Sequence, residues 1–129
     1  MIGKMAAVTV QDIDHVQIAA PKGCEAAARA FYGGLLSLVE VEKPTSLAGR
    51  GGCWFQVGSR QLHIGVEDPF VPAKKAHPAF QVSDLDSLSL VFEEKGLTLK
   101  RDEAIEGRRR FYSEDPFGNR LEFIEPAEL

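Results

Sequence analysis

The sequence predicts an α+β fold of two βαβββ modules, whose eight strands form a curved mixed sheet flanked by helices. Three observations carry that reading. The chain repeats itself: one half opens on His15-Val16-Gln17-Ile18 and closes on Gln61-Leu62-His63-Ile64, and the other opens on His77-Pro78-Ala79-Phe80 and closes on Arg120-Leu121-Glu122-Phe123. Within each half, one stretch of helical period follows an opening stretch of period two, and three more strand-like stretches follow the helix. The 129 residues, 44% hydrophobic and 26% charged, make one domain (1–129) large enough for its own core. Its half-repeats run over about residues 11–67 and 76–126.

Ile13 to Ala20 alternates as a strand, with Val16 and Ile18 on one face and His15 and Gln17 on the other; Pro21-Lys22-Gly23 breaks it. Cys24 to Leu36 reads as a helix with Ala27, Ala28, Phe31 and Leu35 at helical spacing, and Gly33-Gly34 weakens its last turn. Leu38 to Val41 is a short strand, followed by a Pro/Gly-rich loop from Lys43 to Gly52. Cys53 to Val57 and Arg60 to Val66 form a hairpin across Gly58-Ser59, a two-residue turn of the Gly-X kind. That turn sets a register in which Val57 faces Arg60, Gln56 faces Gln61 and Trp54 faces His63. Alternation then puts Trp54, Gln56, Gln61 and His63 on one side, with Phe55, Val57, Leu62, Ile64 and Val66 on the core side.

Glu67 to Lys75, with Pro69 and Pro72, links the halves. His77 to Val82 is the second opening strand, with Phe80 and Val82 as core residues. Asp84 to Lys95 is a helix with Leu85, Leu88, Val91 and Phe92 as its apolar stripe; Asp84 or Asp86 caps its start and Gly96 stops it. Leu97 to Arg101 and Arg109 to Ser113 are strands, and Glu114-Asp115-Pro116-Phe117-Gly118-Asn119 turns into the last strand, Arg120 to Glu125.

A net charge of −4 gives no electrostatic reason to bind nucleic acid or an anionic membrane, and no apolar stretch is long enough to span a bilayer. Met1 to Gln11 lacks the apolar core of a signal peptide, so a cytoplasmic protein is expected. Cys24 and Cys53 lack the spacing of a disulfide framework or zinc ribbon and read as reduced, buried small residues.

The chemistry lies in the histidines. The chain has three, and each falls at a matching place in a half-repeat: His15 corresponds to His77, and His63 to Glu122. Three imidazoles and a carboxylate at four equivalent places form one candidate ligand set related by a pseudo-twofold axis. Nitrogen and oxygen donors without thiolate suit Fe²⁺, Mn²⁺, Ni²⁺ or Zn²⁺. Such an ion would act as Lewis acid on a small oxygenated substrate, with Glu122 able to serve as base. Tyr112 is a second catalytic candidate; Trp54, Gln56, Gln17 and Arg110 are candidates for substrate contact. Trp54 could equally be sheet packing, with His63 stacked on it and the other three ligands left to bind. Of Arg108-Arg109-Arg110, only Arg110 shares the parity of Tyr112 and would face the site.

Phe31-Tyr32 at the helix end, the turn Asp115-Pro116-Phe117-Gly118-Asn119 and the strand Leu121-Glu122-Phe123-Ile124 resemble the vicinal oxygen chelate superfamily, from about Ile13 to Glu125. That superfamily includes glyoxalase I, extradiol dioxygenases, fosfomycin-resistance thiol transferases and bleomycin-resistance proteins. The resemblance implies a glyoxalase-like paired βαβββ fold, a homodimer, and a divalent metal held by the first and last strands of each half. His15, His77 and Glu122 match the two-histidine, one-carboxylate set of the dioxygenases and fosfomycin enzymes. Three departures narrow the activity. His63 stands where glyoxalase I has glutamate; Gln17 replaces the fosfomycin enzymes' threonine; Asp102 and Glu106 stand where those enzymes carry a basic residue and a serine. The resemblance therefore implies a metal-dependent lyase or dioxygenase acting on a small molecule. The alternatives it leaves are a metal-free drug-sequestering protein of the bleomycin-resistance type and a fosfomycin-type thiol transferase.

Overall fold

A computed structural model describes residues 8–127. Most of the Met1 to Gln11 segment lies outside the described residues. The first sheet grows from the Gly58-Ser59 turn. Gly58 takes a positive φ of 57°, which a side chain disfavours, and this lets β3 (Cys53–Val57) fold straight back as β4 (Arg60–Val66). The register is the one alternation requires, with Trp54 opposite His63, Gln56 opposite Gln61 and Val57 opposite Arg60. β1 (His15–Ala20) lies parallel on β4, and β2 (Val39–Val41) pairs antiparallel with β3. The second half repeats this with β5 (Ala79–Gln81), β6 (Lys100–Asp102), β7 (Arg110–Glu114) and β8 (Arg120–Ile124). The strand orders, β1-β4-β3-β2 and β5-β8-β7-β6, are equivalent. The eight strands thus form two four-stranded mixed sheets, each complete in its own ladders, rather than one hydrogen-bonded sheet within the chain.

The first helix differs from its expected course. An α-helical turn, α1 (Glu25–Ala28), passes directly into a wider π-helical stretch over Arg29–Leu35, where the Leu36 amide donates to the Phe31 carbonyl five residues back at 2.9 Å. Gly33 and Gly34 sit in that stretch; Gly33 backs onto the Phe55 ring, where a Cβ would lie 3.6 Å from Cε1. In a regular α-helix two consecutive side chains point about 100° apart. Here the wider turn brings both Phe31 and Tyr32 into the core. The long loop after β2 contains a 3₁₀ segment, Thr45–Arg50. The second helix, α2 (Leu85–Glu94), starts where expected: Asp84 Oδ1 accepts from the Ser87 amide at 3.0 Å, and Ser87 Oγ donates to Asp84 Oδ2 at 2.7 Å.

The apolar faces of both halves share one core. Phe92 of α2 packs edge-on to Phe111 and Phe123, and Phe31 of the first half reaches it at 6.2 Å. A buried polar joint locks the halves beside that core. The Tyr32 hydroxyl donates to Asp115 Oδ2 at 2.7 Å, while Asp115 Oδ1 accepts from the amides of Phe117 and Asn119, both at 2.9 Å. Asn119 Nδ2 donates to the Ala19 carbonyl of β1 at 2.8 Å, and its Oδ1 accepts from the Ala73 amide at 3.0 Å. The turn Asp115-Pro116-Phe117-Gly118-Asn119 is therefore a structural joint between the modules. Cys24 and Cys53 are buried free thiols, and burial pushes the Cys53 thiol up to about 11.

Candidate metal centre

Register places the four candidate ligands equivalently. Gln17 pairs with His63 across β1 and β4, as Ala79 pairs with Glu122 across β5 and β8. His15 and His77 stand two residues before those partners, so each half presents one opening histidine and one closing ligand on the face opposite the core. Trp54 lies opposite His63 as Tyr112 lies opposite Glu122.

In the second half the donors already meet. His77 Nε2 faces Glu122 Oε1 at 3.0 Å, and His77 Nδ1 faces the Lys75 carbonyl at 2.8 Å. A carbonyl accepting from one imidazole nitrogen leaves the other free to ligate, as metal-bound histidines require. Two donors on adjacent corners of a six-coordinate ion, each at about 2.1 Å, lie about 3 Å apart, so this pair fits a divalent ion. The second Glu122 oxygen, Oε2, accepts from Arg110 Nη1 at 3.2 Å, and Arg110 Nη2 donates to Asp102 Oδ1 at 3.2 Å. Glu122 is only 6% exposed. A buried carboxylate is costly without partners, and Arg110 and His77 supply them. Arg110 Nε is a buried polar atom with no partner among the described residues. The Tyr112 ring stands edge-on to His77 at 5.3 Å, with the Arg120 guanidinium 4.0 Å from its centroid.

The first half is arranged differently. The His63 ring is sandwiched between Trp54 at 3.6 Å (interplanar angle 2°) and His15 at 4.2 Å (21°), with Nε2 facing Gln61 Oε1 at 2.9 Å. Burial, and then the neighbouring His15, push the His63 pKa down, so its neutral form is favoured. Ligating lone pairs lie in the ring plane, and those of two nearly parallel rings do not converge on one point. His15 holds Asp14 Oδ1 through Nδ1 at 2.9 Å, which leaves Nε2 for other work.

The other candidates divide between the two groups. Gln56 turns its amide back onto the Gly58 carbonyl at 2.8 Å. Gln17 lies over Gly65, where a Cβ would come within 2.7 Å of Gln17 Nε2. Gln17 and His77 border one cavity of about 410 Å³ between β1 and the linker. Arg109 pairs with Asp86 and Glu125, and Arg108 donates to the Glu125 carbonyl. So His77, Glu122, Arg110 and Tyr112 come together in one half, and His15, His63 and Trp54 in the other. Among the described residues no three His, Cys, Asp or Glu side chains gather closely enough to hold an ion.

No family model matches the chain, and no curated protein does. Among solved structures, a glyoxalase family protein from Bacillus anthracis is 50% identical, with a TM-score of 0.89 over 93% of this chain and 98% of that one. This chain belongs to the glyoxalase family of the vicinal oxygen chelate superfamily. The fold alone is shared with a glyoxalase/dioxygenase from Nostoc punctiforme (22% identity, TM-score 0.76, covering 96% and 97% of the two chains). It is shared likewise with the genomically encoded fosfomycin resistance protein FosX from Listeria monocytogenes (15%, 0.74, 92% and 96%). In this glyoxalase-family chain no described helix is long and apolar enough to cross a membrane. Two neighbours of the candidate site were not among the predicted contacts. Asp102 reaches Arg110 only because β6 pairs with β7, a register that the polar loop between them does not announce. Arg120 could have been found, because it shares the parity of Glu122.

Proposed function

We propose that this protein is a divalent-metal-dependent enzyme acting on a small substrate with adjacent oxygen atoms, by glyoxalase-like or dioxygenase-like chemistry. Each site is completed between two copies of the chain. The observation that carries the reading is the His77–Glu122 pair at 3.0 Å, matched in register by His15 on the other sheet of the same chain but not joined to it. In a twofold dimer the opening half of one copy would face the closing half of the other, bringing His15 to His77 and Glu122. These three residues would hold the ion, and His63 would buttress His15 from its place on Trp54. When bound there, the ion supplies Lewis acidity to the substrate oxygens.

The remaining chemistry belongs to the chain. Glu122 is both ligand and candidate base on this face: Arg110 donates to Oε2, and a carboxylate tethered there could release Oε1 to take up a proton. Tyr112, between His77 and Arg120, orients the substrate with its ring. A metal-free drug-binding groove would present mainly aromatic and aliphatic groups, whereas this face presents imidazole, carboxylate and guanidinium groups.

The test is elemental analysis of protein purified without an affinity tag, followed by titration of the stripped protein with Zn²⁺ and Mn²⁺. About one ion per chain is expected, and His77→Ala or Glu122→Ala should weaken binding by roughly a hundredfold or more. Wild-type protein that takes up neither ion at micromolar concentration overturns the proposal.

A further inference from the structure

Beside Tyr112, on the side away from β5, lies a cavity of about 250 Å³ bordered by Lys74, Lys100, Tyr112, Glu114 and Arg120. Lys100, Tyr112 and Glu122 form one row across β6, β7 and β8, and Arg120 lies opposite Glu114, so all of these share the face of the metal centre. Three cations and one carboxylate meet here in a chain whose net charge is −4. Glu114 is taken by Lys74 at 3.9 Å. Lys100 and Arg120 make no ion pair among the described residues, as is true of several other surface cations, but these two border the cavity itself. Arg120 is instead held by the Tyr112 ring at 4.0 Å, which engages the guanidinium face and leaves its N–H edge for an oxyanion.

We propose that this pocket binds an anionic end of the substrate, a carboxylate or a phosphate, with Lys100 and Arg120 as its principal contacts. The inference deepens the metal-dependent reading above by naming the substrate class. Spacing sets the reach: Lys100 lies two strands from Glu122, about 10 Å at ordinary strand separation. The substrate is then a small acid or phosphate ester whose charged group stands a few bonds from the two adjacent oxygens. Tyr112, between the two places, packs against the carbon atoms that join them.

The experiment is calorimetric titration of the metal-free full chain with inorganic phosphate and with acetate, at an ionic strength of about 20 mM so that screening is weak. Saturation in the millimolar range by at least one anion is expected, and the tighter of the two identifies the group. Arg120→Gln should weaken that binding by roughly tenfold, as should Lys100→Glu. Lys100 is exposed, so its reversal leaves the fold intact should the Arg120 variant fail to fold. Absence of saturation below about 5 mM, or equal affinity in wild type and Lys100→Glu, overturns the pocket. Zn²⁺ titration of the same samples separates the two readings. Phosphate binding that depends on Lys100 in a protein that takes up no metal keeps the pocket and overturns the metal centre. Metal binding without anion binding does the reverse.

Discussion

At the scale of single residues, the stacking of His63 decides between two roles. A ring pressed between Trp54 and His15, with one nitrogen on Gln61, is held as a packing element. His63→Ala should therefore keep metal affinity within roughly tenfold of the parent while costing about 1–3 kcal/mol of stability, measured by zinc titration and by denaturant unfolding. A hundredfold loss of affinity would instead make His63 a ligand. The same residue carries a pH signature. Its folded pKa is lowered, so the unfolded chain takes up the proton first as pH falls through about 6.5. Its contribution to stability is complete above that value and is lost below it. The wild-type unfolding midpoint should drop between about pH 7 and pH 5, and His63→Ala should remove part of that slope.

At the scale of elements, α2 depends on its first turn. Asp84 satisfies the Ser87 amide, and these hydrogen bonds hold the carboxyl below its usual range. Asp84→Ala should cost about 1 kcal/mol in denaturant unfolding, while Asp84→Asn should cost less because it keeps an acceptor. How far such elements could be read from the sequence depended on periodicity. The β3–β4 register followed from Gly58-Ser59 because a two-residue turn leaves one pairing, and alternation then assigned every side chain to a face. The π-helical stretch was not legible. Ala27, Ala28, Phe31 and Leu35 satisfy an ordinary helix, and periodicity does not register the size of a hydrogen-bonded ring. The side-by-side burial of Phe31 and Tyr32 reveals the stretch only in the structure. Among candidate site residues, repeat position picked out His15, His63, His77 and Glu122. The hairpin register also put Trp54 against His63, but repeat position did not give the Arg110–Asp102 contact, which depends on a β6–β7 register that no short turn fixes.

At the scale of the whole molecule, the two half-sites predict a division of labour that mixing can expose. Chains carrying His15→Ala and chains carrying Glu122→Ala should each fail to bind metal tightly. Mixed by reversible denaturation, they should form heterodimers in which one site has both lesions and the other has none. Metal binding should return to about a quarter of all sites if partners associate at random. No recovery, or a sedimenting species of only the 14.1 kDa chain mass, would place the site within one copy.

Two look-alike halves also invite mistakes of assembly, because an opening half can meet another opening half with similar shape and similar strands. The buried joint discriminates between them. Asp115 and Asn119 occur only in the closing half; the corresponding hairpin of the opening half is Gly58-Ser59, which offers neither carboxylate nor amide. The Tyr32 hydroxyl would be left buried and unsatisfied against any surface but the right one, at a cost of about 1–3 kcal/mol, and the half-buried Ala19 carbonyl would lose its donor. The joint thus serves as an address within the chain: it accepts the closing half against the opening half and disfavours like-with-like pairing.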